Sequence, residues 1–276
     1  MLLTATCPPS LSASLLETLA IQNCYVIRAP TDQPEISYNV KVSRTIAQAQ
    51  ELLVDAVRER LGSSDENFRC LVYCRAKDTV EKIAGLIGCK PFHLGIPEAE
   101  RGSSFQEWVQ GKPHVMVSTS LLGCGIDVDG VQVVYHFLTP WSVMDFVQES
   151  GRAGRGGKPA ESYVFASERE REQVEPEDRF GKKIMRDWVL QNSICRRIAL
   201  SSFLDNRVTT CILLRNANLC DVCKRKMGEL HPRRSIELTP LPLSSTDLPT
   251  VGPLPPIPPS SAQYAREMFK RPDTQE

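Results

Sequence analysis

The sequence predicts an α/β protein: a parallel β-sheet flanked by helices, then a small helical segment rich in cysteine, then a disordered proline-rich tail. Three observations carry this reading. Short apolar runs alternate with amphipathic stretches between residues 36 and 166, four cysteines gather between residues 195 and 223, and ten of the twenty prolines fall after residue 230. Runs that are apolar throughout, rather than alternating, suit strands covered by helices on both faces.

In chain order, the strands are "ISYNV" (36–40), "CLVYC" (70–74), "PFHLG" (91–95), "HVMVST" (114–119), "VQVVYHF" (131–137) and "SYVF" (162–165). Each is short and rich in β-branched or aromatic residues. Between them, residues 44–61, 78–87 and 103–110 place apolar side chains at helical spacing. Residues 167–190 are charged, then amphipathic, and are expected to be helical. Residues 192–226 form a short segment with too little apolar content for a core of its own. From His231 onward, Pro, Ser and Thr dominate and "PLPPIPPS" reads as polyproline II; such a tail buries too little apolar surface to offset chain entropy. The expected divisions are 1–35, 36–167, 168–230 and 231–276.

Charge is balanced overall, with 33 basic and 33 acidic residues in 276, so net charge identifies no partner. Locally it is not balanced. Residues 181–234 hold twelve Lys or Arg against four acids, an excess suited to a phosphate backbone or to a solvated face. No stretch reaches the roughly 20 apolar residues of a membrane span. The first basic residue is Arg28, so the N-terminus lacks the positive start of a signal peptide. With no export signal, the ten cysteines read as thiols or metal ligands. Cys7, Cys24, Cys70, Cys74, Cys89 and Cys124 lie in or beside apolar runs and are expected in the core.

Two stretches carry chemistry. In "DFVQESGRAGRGG" (145–157), Arg152 and Arg155 stand among four glycines. Glycine lets the backbone approach a ligand, and guanidinium forks bind phosphate oxygens in pairs. Further on, Cys195, Cys211, Cys220 and Cys223 could surround one Zn²⁺ tetrahedrally, and four protein ligands make such a site structural. Cys211 stands apart by spacing, with eight residues between it and Cys220.

The order of these stretches resembles the RecQ-type DNA helicases. "CLVYCRAKDTVEKIA", "HVMVSTSLLGCGIDVDGVQVVYHF" and "DFVQESGRAGRGG", followed by the cysteines, are similar to motifs IV, V and VI of that family's second RecA-like lobe and to its zinc-binding subdomain. The resemblance spans about residues 1–226 and implies a RecA-like sheet. It implies that Arg155 is the arginine finger for the γ-phosphate of ATP, with Arg152 beside it, and that Gln148 couples nucleotide to lobe movement. Gly125 and Asp127 would lie at the nucleotide edge. Tyr73, Arg75, Ser118 and Thr119 would meet the DNA backbone. Cys124 and Gly157 depart from the family's more usual Met and Asp, without replacing a charged group.

The opening "LTAT" is similar to motif III, at the end of the family's first lobe, while no GxxxxGK[ST] loop or DExH stretch occurs in the 276 residues. The expectation is therefore a 3′–5′ DNA helicase lobe that needs a first lobe to hold ATP and Mg²⁺ and is inactive alone. Its expected location is where DNA resides, the nucleus, with no membrane partner. A non-enzymatic, zinc-stabilised nucleic-acid-binding module and a fragment of an RNA helicase remain alternatives.

Overall fold

Six strands form one wholly parallel sheet in the order β1-β6-β5-β2-β4-β3 in the computed structural model, which describes residues 4, 6–22, 24–62, 68–123, 128, 130–170 and 180–230. The strands are β1 (Ile36–Ser43), β2 (Arg69–Cys74), β3 (Pro91–Phe92), β4 (Val115–Ser118), β5 (Val131–Phe137) and β6 (Ala160–Ser167). The helices are α1 (Pro9–Thr18), α2 (Ile46–Gly62), α3 (Lys77–Ile87), α4 (Glu98–Val109), α5 (Val143–Ser150), α6 (Lys182–Leu190), α7 (Arg196–Asp205) and α8 (Asp221–Leu230).

Alternation along the strands splits the core in two. Cys70, Val72, Val133, Phe137 and Phe165 point to a layer closed by Ala49, Leu53 and Val57 of α2 and by Val80, Ile83 and Ala84 of α3. Leu71, Tyr73 and Val134 point the other way, against Trp108, Phe146, Trp188 and Leu200 of α4 to α7. The central strands are buried on both faces, which is why they read as unbroken apolar runs.

Four elements differ from expectation: of the described residues in 167–190, expected to be helical, Ser167 ends β6 and only Lys182–Leu190 form a helix, and three others differ for local reasons. The third strand shrinks to Pro91–Phe92 at the sheet edge, since Pro91 has no amide to donate. The helix expected from residue 103 begins at Glu98, directly after Pro97, because its first turn is polar and shows no apolar stripe. Helix α1, not foreseen, starts at Pro9, where a missing amide costs nothing.

Among the described residues, those up to Lys224 form one compact unit and Arg225–Leu230 belong to a second. Within the first, the cysteine segment shares the sheet's own core: Cys211, Cys220, Cys223 and Val222 belong to the cluster that holds Tyr38 and Phe146. It also covers β1, an edge strand. Asp221 accepts the Val40 amide at 3.2 Å, and the Ser37 hydroxyl donates to the Leu219 carbonyl at 2.7 Å, so part of this edge is closed to other strands. The proline-rich tail at 231–276 lies outside the described residues. Among the described residues, no helix is long and apolar enough to cross a membrane.

Candidate nucleotide, nucleic-acid and metal sites

Strands β2 and β5 are neighbours, yet the chain leaves them in opposite directions. After β2 it runs through α3 towards β3 and β4; after β5 it runs through α5 to β6. Neighbouring strands whose connections diverge leave a crevice at their carboxyl ends, the usual ligand site of an open α/β sheet. Here Tyr73, Cys74 and Arg75 face His136, Phe137 and Leu138 across that crevice, with Trp141 and Glu149 at its side. Leu138 has a left-handed backbone (φ 68°), which costs a branched residue on the order of 1–2 kcal/mol. That strain marks the point where the chain turns off the sheet into this site.

The arginine-bearing turn hangs from α5. Ser142 caps this helix by accepting the Asp145 amide at 3.1 Å, and Phe146, fully buried, packs on Trp188, His136 and Tyr38. One turn on, Glu149 is buried with its Oε2 3.2 Å from His136 Nε2. His136 Nδ1 faces the Tyr163 carbonyl, which can only accept, so this nitrogen carries a proton.

The chain then tightens. The amides of Arg152 and Ala153 return to the carbonyls of Glu149 and Ser150, and Gly154 donates to Val131 at 3.2 Å. Gly154 is required twice over: its φ is +75°, and a Cβ there would stand 2.7 Å from Glu35 Cγ. Arg152 and Arg155 are half-buried on this turn. Both charges reach Tyr73: burial pushes its phenol upward, the Glu149 carboxylate adds to this, and the two guanidiniums oppose it. Tyr73 and Glu149 line the crevice, and the two arginines lie within electrostatic reach of Tyr73. Gln148, exposed on α5, donates to Thr6 Oγ1 at 3.0 Å.

The residues expected to meet nucleic acid divide. Tyr73 is buried and stacks on His136 with centroids 5.7 Å apart, lying beneath the surface rather than on it. Ser118 is fully buried, and its hydroxyl donates to the Thr119 carbonyl at 2.7 Å. Thr119 is half-exposed at the end of β4. Arg75 stands 4.7 Å over the Trp141 ring and 3.5 Å from Glu170, and burial pulls its pKa below the ordinary value. Gly125 and Asp127 lie outside the described residues. Trp141, Glu149, His136 and Glu170 escaped sequence reasoning; only the Gln148–Glu149 pair before the glycines offered a signal.

The basic excess of residues 181–234 also divides. Arg196 and Arg197 are 2% exposed and serve the fold. Arg196 forms a fork on Asp221 at 2.9 Å to each oxygen and donates to the carbonyls of Trp188 and Gln191. Arg197 donates to the carbonyls of Gln33 and Ile36 and lies over the Tyr38 ring. Arg207 pairs with Asp32. These three guanidiniums are committed to protein partners.

The four cysteines converge. Cys195 directly precedes α7, Cys211 lies in the loop after it, Cys220 precedes α8, and Cys223 sits in the first turn of α8. Their sulfurs all lie within 4.8 Å of one another, with Cys195–Cys211 at 3.6 Å and Cys195–Cys220 at 4.0 Å. Zinc bound to sulfur at ~2.3 Å in a tetrahedron requires sulfurs ~3.8 Å apart, so the set fits that ion. Backbone amides of Arg196, Cys211 and Cys220 also point at sulfur, at 3.3–3.5 Å. The sulfurs compete for charge. Hydrogen bonds from Cys195 and Cys211 hold Cys220 far below the usual thiol range, the same contacts drive Cys195 up, and burial pushes Cys223 up to about 12. A cation would remove that conflict.

The remaining cysteines are not all core thiols. Cys70 and Cys74 are buried, Cys7 and Cys89 are half-buried, and Cys24 is exposed. An apolar neighbour such as Tyr25 did not place Cys24 inside, because Tyr25 is itself exposed. Cys124 lies outside the described residues.

Residues 49–157 match the family described as helicase conserved C-terminal domain. The chain is 30% identical over 173 residues to the ATP-dependent DNA helicase hus2/rqh1 of Schizosaccharomyces pombe, covering 60% of this chain and 12% of that protein. It is 28% identical over 240 residues to the ATP-dependent DNA helicase RecQ of Haemophilus influenzae, covering 81% and 36% respectively. The chain thus spans well under half the length of these relatives. Among solved structures, Dbp5 of S. cerevisiae bound to RNA and ADP BeF3 superposes with a TM-score of 0.52 at 15% identity, over 68% of this chain and 48% of that one, a likeness of fold. A wholly parallel sheet flanked by helices and a match of residues 49–157 to a helicase C-terminal domain make this part of the chain similar to that kind of lobe. Both of these similar proteins are ATP-dependent DNA helicases, one of them RecQ.

Proposed function

We propose that the chain is the second lobe and zinc segment of an ATP-dependent DNA helicase of 3′–5′ polarity, acting on DNA in the nucleus in repair and recombination. The observation that supports this best is the tight glycine turn after α5, which holds half-buried Arg152 and Arg155 with Gly154 fixed against Val131 and Glu35. Two guanidiniums held there by a glycine turn suit a polyphosphate brought by a facing lobe. Arg155 is the finger that neutralises charge on the transferred phosphoryl group, Arg152 assists, and Gly125 and Asp127 flank the nucleotide. Gln148 passes movement to the N-terminal segment through Thr6. Arg75 and Thr119 carry the strand, while buried Tyr73 and Ser118 shape the floor beneath them. Zn²⁺ bound by Cys195, Cys211, Cys220 and Cys223 would lock α7 and α8 together; the ion's role is structural.

An arginine finger accelerates transfer only when phosphate, Mg²⁺ and water are already positioned. The 276 residues alone should therefore release no phosphate from ATP above background, and fusion to a RecQ-type first lobe should give DNA-stimulated release. Arg155→Ala in the fusion should lower turnover by on the order of 10³-fold or more. Robust hydrolysis by the chain alone would sink the half-site reading, and a fusion indifferent to Arg155 would sink the finger.

A further inference from the structure

We propose that Trp141, braced by Arg75, is a stacking platform for a base of single-stranded DNA at the mouth of the switch-point crevice. The proposal rests on the reading that this lobe touches a strand, and it names the residue that grips a base. Of the three tryptophans, Trp108 and Trp188 are 1% exposed, whereas Trp141 is 39% exposed. It occupies the loop between β5 and α5 and lines the crevice with Arg75 and Ser120.

The indole is held ready. The Arg75 guanidinium lies 4.7 Å from its ring centroid, and Glu170 lies 3.5 Å from Arg75. Glu170 is fixed in turn: it accepts the Thr139 and Ser167 amides, each at 3.0 Å, and the Thr139 hydroxyl at 3.2 Å. Carboxylate, cation and ring thus form a braced stack, so little ordering remains to be done on binding. Because Glu170 offsets the Arg75 charge, this corner offers a flat π surface more than a net positive charge. Base stacking on an aromatic ring needs only that, and it tolerates any sequence.

A strand fits better than a lone nucleotide because the polar edge is long. Tyr73 is in register with Ser118 on one side and His136 on the other, so the ends of β4, β2 and β5 lie level. Strands about 4.8 Å apart spread the ends of β4, β2 and β5, with Thr119, Arg75 and Leu138 just beyond them, over about 10 Å. That exceeds a single base.

The test uses the 276-residue chain and a 15-nucleotide oligo-dT. Anisotropy of a labelled oligomer gives affinity at several salt concentrations, and tryptophan emission with an unlabelled one reports stacking, since the other two indoles are buried. Trp141→Ala should weaken binding roughly 5- to 100-fold while leaving the salt slope unchanged, because the indole carries no charge. Trp141→Phe should retain most of the affinity, and the wild-type emission should be quenched on saturation. Trp141 is exposed, so both variants should keep the wild-type circular dichroism and melting temperature. Wild-type affinity in Trp141→Ala, or unchanged emission in the saturated complex, would overturn the platform while salt-dependent binding left the backbone reading standing. No binding even at low salt would remove both readings. Quenching by ADP equal to that by the oligomer, abolished in Trp141→Ala, would overturn the strand assignment in favour of a mononucleotide.

Discussion

The side-chain amide of Gln148 donates a 3.0 Å hydrogen bond to the hydroxyl of Thr6, 142 residues earlier in the chain. Gln148 stands one turn before the arginine-bearing loop, and Thr6 belongs to the "LTAT" stretch at the start of the sequence. A displacement of either segment must therefore stretch or break this contact. Replacing either partner by Ala should cost about 0.5–1.5 kcal/mol in urea unfolding, and the double variant should cost less than the sum. Strict additivity would mean that the bond does not persist in solution.

The glycine turn should be unequally tolerant. Gly154 has φ +75° with Glu35 Cγ 2.7 Å from a Cβ position, whereas Gly156 has φ +74° and open space. Gly156→Ala carries only the left-handed backbone cost, about 1–2 kcal/mol. Gly154→Ala adds a clash and should be visibly worse. Chemical denaturation of the two variants checks the order, and equal losses would contradict the close approach of Glu35.

Purified under reducing conditions, the protein should carry about one zinc per chain, with all four sulfurs engaged. Cys220→Ser or Cys223→Ser should abolish metal content and open residues 192–226 to protease, since binding energy at such sites is folding energy. Zinc-free protein of full stability would show that these sulfurs pack as plain thiols.

Arg196 should matter to stability rather than to DNA. Its guanidinium is buried and forked on Asp221, so Arg196→Ala leaves a carboxylate without its partner and should destabilise by about 3–5 kcal/mol. Lysine should rescue only part of this, because one ammonium cannot reproduce the fork and the two carbonyl contacts. Thermal melts of the two variants decide; a variant that melts like wild type but binds DNA more weakly would reverse the assignment.

Thiol reactivity should follow burial. Cys24 is exposed, while burial pushes Cys74 up to about 12 and Cys89 up to about 11. Only a thiolate attacks an alkylating reagent, so at pH 8 Cys24 should be modified before Cys74 and Cys89, and fully buried Cys70 should lag as well. Peptide mapping after brief iodoacetamide treatment reads this directly.

The sequence by itself determined the parallel sheet, because central strands covered on both faces must be apolar at nearly every position, as β2 and β5 are. It also marked the arginine turn and the cysteine set as candidate sites, and the four sulfurs do converge. Tertiary structure decided what no local pattern encodes. It took Arg196 and Arg197 out of the surface charge and committed them to Asp221 and the approach to β1, because a half-buried carboxylate and the buried first half of β1 need donors. It sank Tyr73 and Ser118 beneath the edge where both had been expected to meet DNA, because neighbouring strands and helix α5 close over that face. It brought Trp141, Arg75 and Glu170 together from three separate segments of the chain. Residue type limits what a position can do, but only packing sets which neighbours reach it, and at this crevice those neighbours come from across the sheet.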